Sequence, residues 1–228
     1  MEELEFNYGQ EGILSGRLTL ANGQDVDIFE FLGADYARIV GVNTFAEDGV
    51  SDPLNLEGAF IVGLETDPDD LLTEGTATYA VDFEGYGVLD IDNGTTIVNE
   101  VFLEGVGIVE VDFAAATVGA TLDGGVVADE LDGELDGETG PSDDDFIDFT
   151  GTLEPVAISG NSFSGDLAVA CSGGATCTSD SVIGGAFFGP NAEEVAGLVA
   201  VDIVVEDPTL AGTTRFVAGA GFASEVTE

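Results

Sequence analysis

The densest chemistry in the chain is the acidic run Asp129-Glu130-Leu131-Asp132-Gly133-Glu134-Leu135-Asp136-Gly137-Glu138, followed closely by Asp143-Asp144-Asp145. Calcium takes roughly six to eight hard oxygen ligands, and glycines let backbone carbonyls join the carboxylates. Asp129, Asp132, Glu134, Asp136 and Glu138 are therefore the candidate Ca2+ ligands. Their spacing matches neither an EF-hand loop nor the nonapeptide calcium repeat. The competing reading is a solvated acidic hairpin loop that gathers counterions without a specific site. Asp90-Ile91-Asp92-Asn93-Gly94 also has a calcium-loop flavour, but Asn-Gly between two strand-like runs reads more simply as a type I′ hairpin turn. Asp123-Gly124-Gly125 likewise reads as a turn.

Other reactive groups are few. Cys171 and Cys177 bracket Ser-Gly-Gly-Ala-Thr between two strand-like runs. A disulfide closing that loop, and hence a periplasmic or extracellular setting, is the preferred reading over two free thiols. Without histidine the pair makes a poor zinc site. Catalysis has little to use: there is no His for a triad and no Lys for a Schiff base. Paired carboxylates carry no information among 46 acidic residues. The chain reads as a non-enzyme.

Those 46 acidic residues face only three basic ones, Arg17, Arg38 and Arg215, for a net charge of -43 in 228 residues. Nucleic-acid binding needs Lys and Arg at phosphates, so the balance excludes it. Anionic membrane surfaces are disfavoured for the same reason. Self-repulsion on this scale is tolerable where salt screens it, over about 8 Å at physiological ionic strength and less in brine. A saline or divalent-rich medium is the expected habitat. Hydrophobic residues still make up 44%, enough for a real core. No apolar run is long enough to span a bilayer as a helix. Met1-Glu2-Glu3-Leu4 lacks the plan of a signal peptide. The expectation is a removed export signal that carried any lipid-anchoring Cys.

The elements that must position these residues read as strands throughout. In residues 1–72, Leu14, Gly16, Leu18 and Leu20 alternate with Ser15, Arg17 and Thr19, the period of a half-buried strand. Asp25–Phe31, Tyr36–Val42 and Ala59–Leu64 follow as further strands, with a short helix expected near Phe29–Ala34. Asp67-Pro68-Asp69-Asp70 marks a boundary. From residue 73 to 228 the alternation is regular: Ala77, Tyr79, Val81 and Phe83 oppose Thr76, Thr78, Ala80 and Asp82, and Phe216, Ala218, Ala220 and Phe222 oppose Arg215, Val217 and Gly219. An all-β chain follows: an N-terminal antiparallel sheet (1–72) and an up-and-down antiparallel barrel of about eight strands (73–228), with an acidic insertion at 128–145. A sandwich is the alternative. An outward face of Thr, Asp and Glu argues against a membrane barrel.

Gly184-Gly185-Ala186-Phe187-Phe188-Gly189-Pro190-Asn191-Ala192-Glu193-Glu194-Val195-Ala196-Gly197 is the most distinctive stretch. It reads as a glycine-rich strand, a turn fixed by Pro190, and a short helical turn capped by Asn191 with Glu193 and Glu194 near its positive end. The stretch resembles the signature of transferrin-binding-protein-like surface lipoproteins and hemophores of Gram-negative bacteria. Tyr36-Ala37-Arg38-Ile39-Val40-Gly41-Val42, Gly58-Ala59-Phe60-Ile61-Val62-Gly63-Leu64, Gly75-Thr76-Ala77-Thr78-Tyr79 and Ile158-Ser159-Gly160-Asn161-Ser162-Phe163-Ser164-Gly165 stand in the order seen in that family, which the chain resembles over roughly residues 30–225. The closing strand and the unusually acidic loop match less well.

The resemblance implies a handle-like sheet beside an eight-stranded barrel, exported and held at the outer surface, lipid-anchored through the missing N-terminus. It implies a non-enzymatic binding protein for host iron proteins, haem or haem proteins, complement regulators or small solutes. Tyr36, one of four tyrosines and placed in the handle segment, and Arg38, a rare positive charge in an acidic background, are the candidate ligand contacts. Tyr36 alternatively packs within a sheet, and Arg38 and Arg215 alternatively pair with local carboxylates. The lack of His removes the commonest haem ligand and leaves a Tyr, Met1 or a pocket without axial ligation. Three functional readings follow: a haem- or iron-acquiring surface protein, a self-assembling or adhesive surface component that depends on divalent cations, and a halophilic barrel whose acidity serves solubility alone.

Overall fold

The computed structural model describes residues 5–8, 14–19, 25–43, 58–91, 96–127, 147–172, 176–206 and 213–225. The candidate calcium ligands between 129 and 138 and the Asn-Gly turn at 93–94 lie outside them. Every described element is a β-strand.

The first five strands are β1 (Glu5–Tyr8), β2 (Leu14–Thr19), β3 (Asp25–Gly33), β4 (Ala37–Asn43) and β5 (Gly58–Gly63). They form one antiparallel sheet in sequence order. The expected short helix near Phe29–Ala34 is instead the end of β3. Phe29 pairs with Gly41 and Glu30 with Val40, and a bulge between Glu30 and Leu32 absorbs the irregular spacing without ending the strand.

Nine strands follow: β6 (Thr76–Ile91), β7 (Thr96–Asp112), β8 (Thr117–Val127), β9 (Ile147–Ala157), β10 (Ser162–Cys171), β11 (Thr176–Ser179), β12 (Ser181–Phe188), β13 (Glu194–Glu206) and β14 (Thr213–Glu225). β11 and β12 are two halves of one barrel strand: both pair with β13 in a single unbroken register, and Asp180 between them donates to the Asp202 carbonyl at 3.0 Å. Each strand pairs with its sequence neighbour, and β14 closes on β6. The result is a closed, up-and-down, eight-stranded antiparallel barrel with no unpaired edge strand. Starting at Phe83 and following paired residues round the barrel, one route reaches β10 at Cys171 and the other at Phe163. That stagger is what a closed sheet of tilted strands requires, and eight strands leave an interior just wide enough for side chains to fill.

They do fill it. Tyr79, Leu103, Leu122, Leu167, Ile183 and Phe216 are all almost inaccessible to solvent. Phe187 is the hub of one end, with the rings of Tyr79, Phe113 and Phe163 at 6.2, 5.9 and 6.1 Å. Larger rings lie over inward-facing glycines: a methyl group at Gly124 would overlap Phe83, and one at Gly197 would overlap Phe222. This corrects the turn expected at Asp123-Gly124-Gly125, which sits within β8, its glycine required by the ring above it.

The handle sheet packs against the outside of the barrel. Ala37 and Ile39 of β4, with Ala59 and Ile61 of β5, meet Phe188, Ala196 and Ala223. Ile39 lies so close to Gly221 that no side chain fits there.

Candidate functional site

The residues that join handle to barrel come from the glycine-rich stretch that stood out in the sequence. Its loop is a turn, not a helix. Gly189 (φ 82°) and Ala192 (φ 57°) both adopt the left-handed region. The aromatic ring of Tyr36 leaves no space for a side chain at Gly189, whereas Ala192 bears the strain of a Cβ there. The capping also runs opposite to the expected direction. The Asn191 backbone and Nδ2 donate to the Glu193 carboxylate, at 2.8 and 2.9 Å. Burial acts to raise the Glu193 carboxyl, and these Asn191 hydrogen bonds outweigh it, holding the group below the usual carboxylate range.

Glu194 does something the sequence did not disclose. It is 2% exposed. Its Oε1 accepts from Asp35 N at 2.7 Å and Tyr36 N at 3.0 Å, and its Oε2 from Tyr36 N at 2.9 Å and Ala37 N at 3.0 Å. A carboxylate at the first residue of β13 thus gathers three successive amides at the entry to β4. Nearby, Leu64 N donates to Tyr36 O, Gly189 N to Leu64 O, and Thr66 Oγ1 to Gly189 O at 2.6 Å. Tyr79 donates its buried hydroxyl to the Ala192 carbonyl at 2.6 Å. Burial, reinforced by the Glu193 charge, pushes the Tyr79 phenol far up, so it stays a neutral donor.

The candidate ligand contacts fall around this joint. Tyr36 is half-buried, its backbone held by Glu194 and its ring over Gly189. Arg38 is exposed, bridges to Glu30 at 3.3 Å, and donates to the Ala34 carbonyl. Arg215 makes a two-pronged pair with Asp202 at 2.6 and 2.9 Å. The arginine hydrogen bonds pull Asp202 below its ordinary value although burial opposes them. Cys171 and Cys177 form a disulfide, Cα–Cα 5.7 Å, tying the end of β10 to the start of β11.

A cleft of about 680 Å³ lies between Leu32 of the handle and the outer face of β6–β9. Asp82, Glu84, Glu104, Asp123 and Asp148 line it. Glu84 and Glu104 stand directly opposite on neighbouring strands. Burial first, then the Glu104 charge, pushes the Glu84 carboxyl up. An acid whose folded value is raised costs stability above that value, and the cost vanishes below the unfolded value. Glu84→Gln should therefore stabilise the protein near neutral pH by about 0.2–1 kcal/mol, the usual size of a cross-strand charge conflict. Thermal melts at pH 7 and pH 3.5 check this: the gain should be present in the first and absent in the second. No group of three or more acidic or sulfur side chains among the described residues is arranged to hold a metal ion.

Comparison with known proteins decides the family. Residues 71–223 match the family described as the C-lobe and N-lobe beta barrels of Tf-binding protein B. The chain belongs to that family. A solved double mutant of the vaccine antigen Transferrin Binding Protein B from Haemophilus parasuis Hp5 aligns over 100% of this chain and 39% of its own, with TM-score 0.52 and 16% identity. Intact Ap-TbpB, with its N and C lobes, aligns over 98% of this chain and 44% of its own, with TM-score 0.48 and 19% identity. The chain thus spans about two fifths of the length of these structures. A comparison with curated proteins gives no match. At 16% identity the Haemophilus parasuis structure speaks for a shared fold.

Proposed function

We propose that this chain is a non-enzymatic binding unit displayed on a bacterial cell surface, and that it recognises a folded, iron-carrying protein. The observation that carries the reading is the filled barrel: its interior is occupied by Phe187, Phe216, Phe222 and their neighbours, so recognition falls to the outer surface. Membership of the Tf-binding protein B barrels supports an iron carrier as the class of partner. The disulfide supports an oxidising compartment.

Haem and small solutes fit the surface less well. The chain has no histidine. The Tyr79 hydroxyl is spent on Ala192, and Tyr36 packs in the joint. Two measurements test the proposal. Protease treatment of intact cells should remove the protein, and the immobilised chain should bind a transferrin-type iron carrier while hemin titration leaves the Soret band unshifted. A stoichiometric Soret shift, or protection from protease on intact cells, would overturn it.

A further inference from the structure

The outer wall of the barrel exposes apolar side chains on either side of an acidic row that lies in the cleft beside Leu32 of the handle. Val217 and Val88 pair across β14 and β6 and are 44% and 40% exposed. Two residues along, Tyr86 stands opposite Phe102, ring centroids 4.9 Å apart, with Tyr86 40% exposed. The next row is Glu84 opposite Glu104, and beyond it Val106 and Ile108 of β7 are 59% and 47% exposed. At about 3.4 Å per residue and 4.8 Å between strands, the face runs roughly 27 Å by 10 Å. Isolated exposed apolar residues need no explanation; here two apolar clusters on one outer face flank a single acidic row.

Charge selects the occupant. Two carboxylates, Glu84 and Glu104, lie directly opposite each other in the middle of the face, and they line the cleft together with Asp82, Asp123 and Asp148. The two arginines whose side chains are described are committed elsewhere, Arg38 to Glu30 and Arg215 to Asp202. A second copy of the chain would bring another net charge of -43 against this row. A cationic surface instead relieves the Glu84–Glu104 conflict, and its Lys or Arg side chains can stack on Tyr86 and Phe102. An apolar centre with a charged rim is also the usual build of a protein interface.

We propose that the outer face of β6, β7 and β14, from Val88 and Val217 through Tyr86 to Val106 and Ile108, docks a folded protein whose contacting surface is basic with apolar side chains between the cations. This rests on the reading that the chain binds a protein partner and names that partner's surface chemistry.

The test uses cytochrome c as a basic folded probe and its lysine-acetylated form as the charge-reversed control. Binding to the full chain is read by biolayer interferometry at low and high salt. The native chain should bind cytochrome c and ignore the acetylated form. The triple variant Tyr86→Thr, Val106→Thr, Val217→Thr keeps the net charge and should bind at least tenfold more weakly. Val182→Thr, equally exposed on β12, should bind as the native chain does. Melting curves confirm that the variants fold. If the triple variant binds like the native chain, acidity alone explains the association and the proposal falls. A native dimer, seen by sedimentation and lost in the triple variant, would overturn it in favour of self-association. The iron-carrier assay separates the two readings. If the triple variant still binds the carrier, this face is wrong and the functional reading stands. If the native chain binds no carrier, the functional reading falls while the cytochrome result still judges the face.

Discussion

Glu194→Ala should cost about 3–5 kcal/mol and loosen the handle from the barrel. The side chain is buried, and its partners among the described residues are the amides of residues 35, 36 and 37. Hydrogen bonds to a charged acceptor contribute about 1.5–3 kcal/mol, and each buried donor left without a partner costs about 1–3 kcal/mol. Alanine removes the acceptor and leaves those donors behind. Glu194→Gln is the more discriminating change, because it keeps the volume but turns an NH2 group toward amides that already point inward. It should recover no more than about half of the loss. Chemical denaturation measures the cost. Hydrogen exchange at residues 35–37 reports the local effect: those amides should lose protection in both variants, while the barrel core around Phe83 and Phe149 stays protected. Unchanged exchange at 35–37 would show that the carboxylate does not hold the joint.

The second large effect is expected at Gly197. A methyl group there would overlap both the Phe222 ring and the Gly184 carbonyl oxygen. The ring is fully buried and the carbonyl belongs to the paired strand, so neither can step aside cheaply. Gly197→Ala should destabilise the protein by about 2–3 kcal/mol, and Gly197→Val should do so by more. Gly219 on β14 provides the contrast, since a methyl group there would meet nothing. Gly219→Ala should be neutral or stabilise by about 0.4–1 kcal/mol by restricting the unfolded chain. Urea titrations of both alanine variants check the pair. Equal losses would mean that these glycines are kept for backbone freedom and not for the rings above them.

The barrel was legible because each strand buries one face only, which writes a period of two into the sequence. Tyr79, Val81 and Phe83 face inward as the alternation demands. The disulfide was legible from two cysteines at a hairpin spacing. Other features were not. Asp123-Gly124-Gly125 has the composition of a turn, and only the Phe83 ring from β6 explains why glycine sits mid-strand. The helix expected at Phe29–Ala34 lost to pairing with β4, because a bulge accommodates the spacing that broke the strand pattern. Glu194 read as part of a helical turn, since a sequence shows its neighbours and not the amides 157 to 159 positions away. The outer apolar face was hidden for a related reason. Val88 and Val217 lie on the first and last strands of the barrel and meet only where β14 closes on β6. Tyr36 stood out as one of few tyrosines and Arg38 as a rare positive charge, and the structure puts both beside the joint, each with partners from the chain itself.

The use of backbone amides as the partners of Glu194 has a consequence for how such proteins diversify. Any residue except proline presents the same N–H, so this hydrogen-bonded part of the attachment needs no charged side chain from the handle; positions 36 and 37 answer instead to packing, Tyr36 over Gly189 and Ala37 in the buried seam. A surface can then shed nearly all its lysines and arginines, as this one has, without releasing one sheet from the other. An exchanged handle segment should dock on this barrel only if it brings no proline to those positions and keeps, at positions 37 and 39, apolar side chains that fit Phe188, Ala196 and Gly221. Glu194 frees the connection from any need for opposite charge, and the apolar seam is what still ties the handle sequence to this barrel.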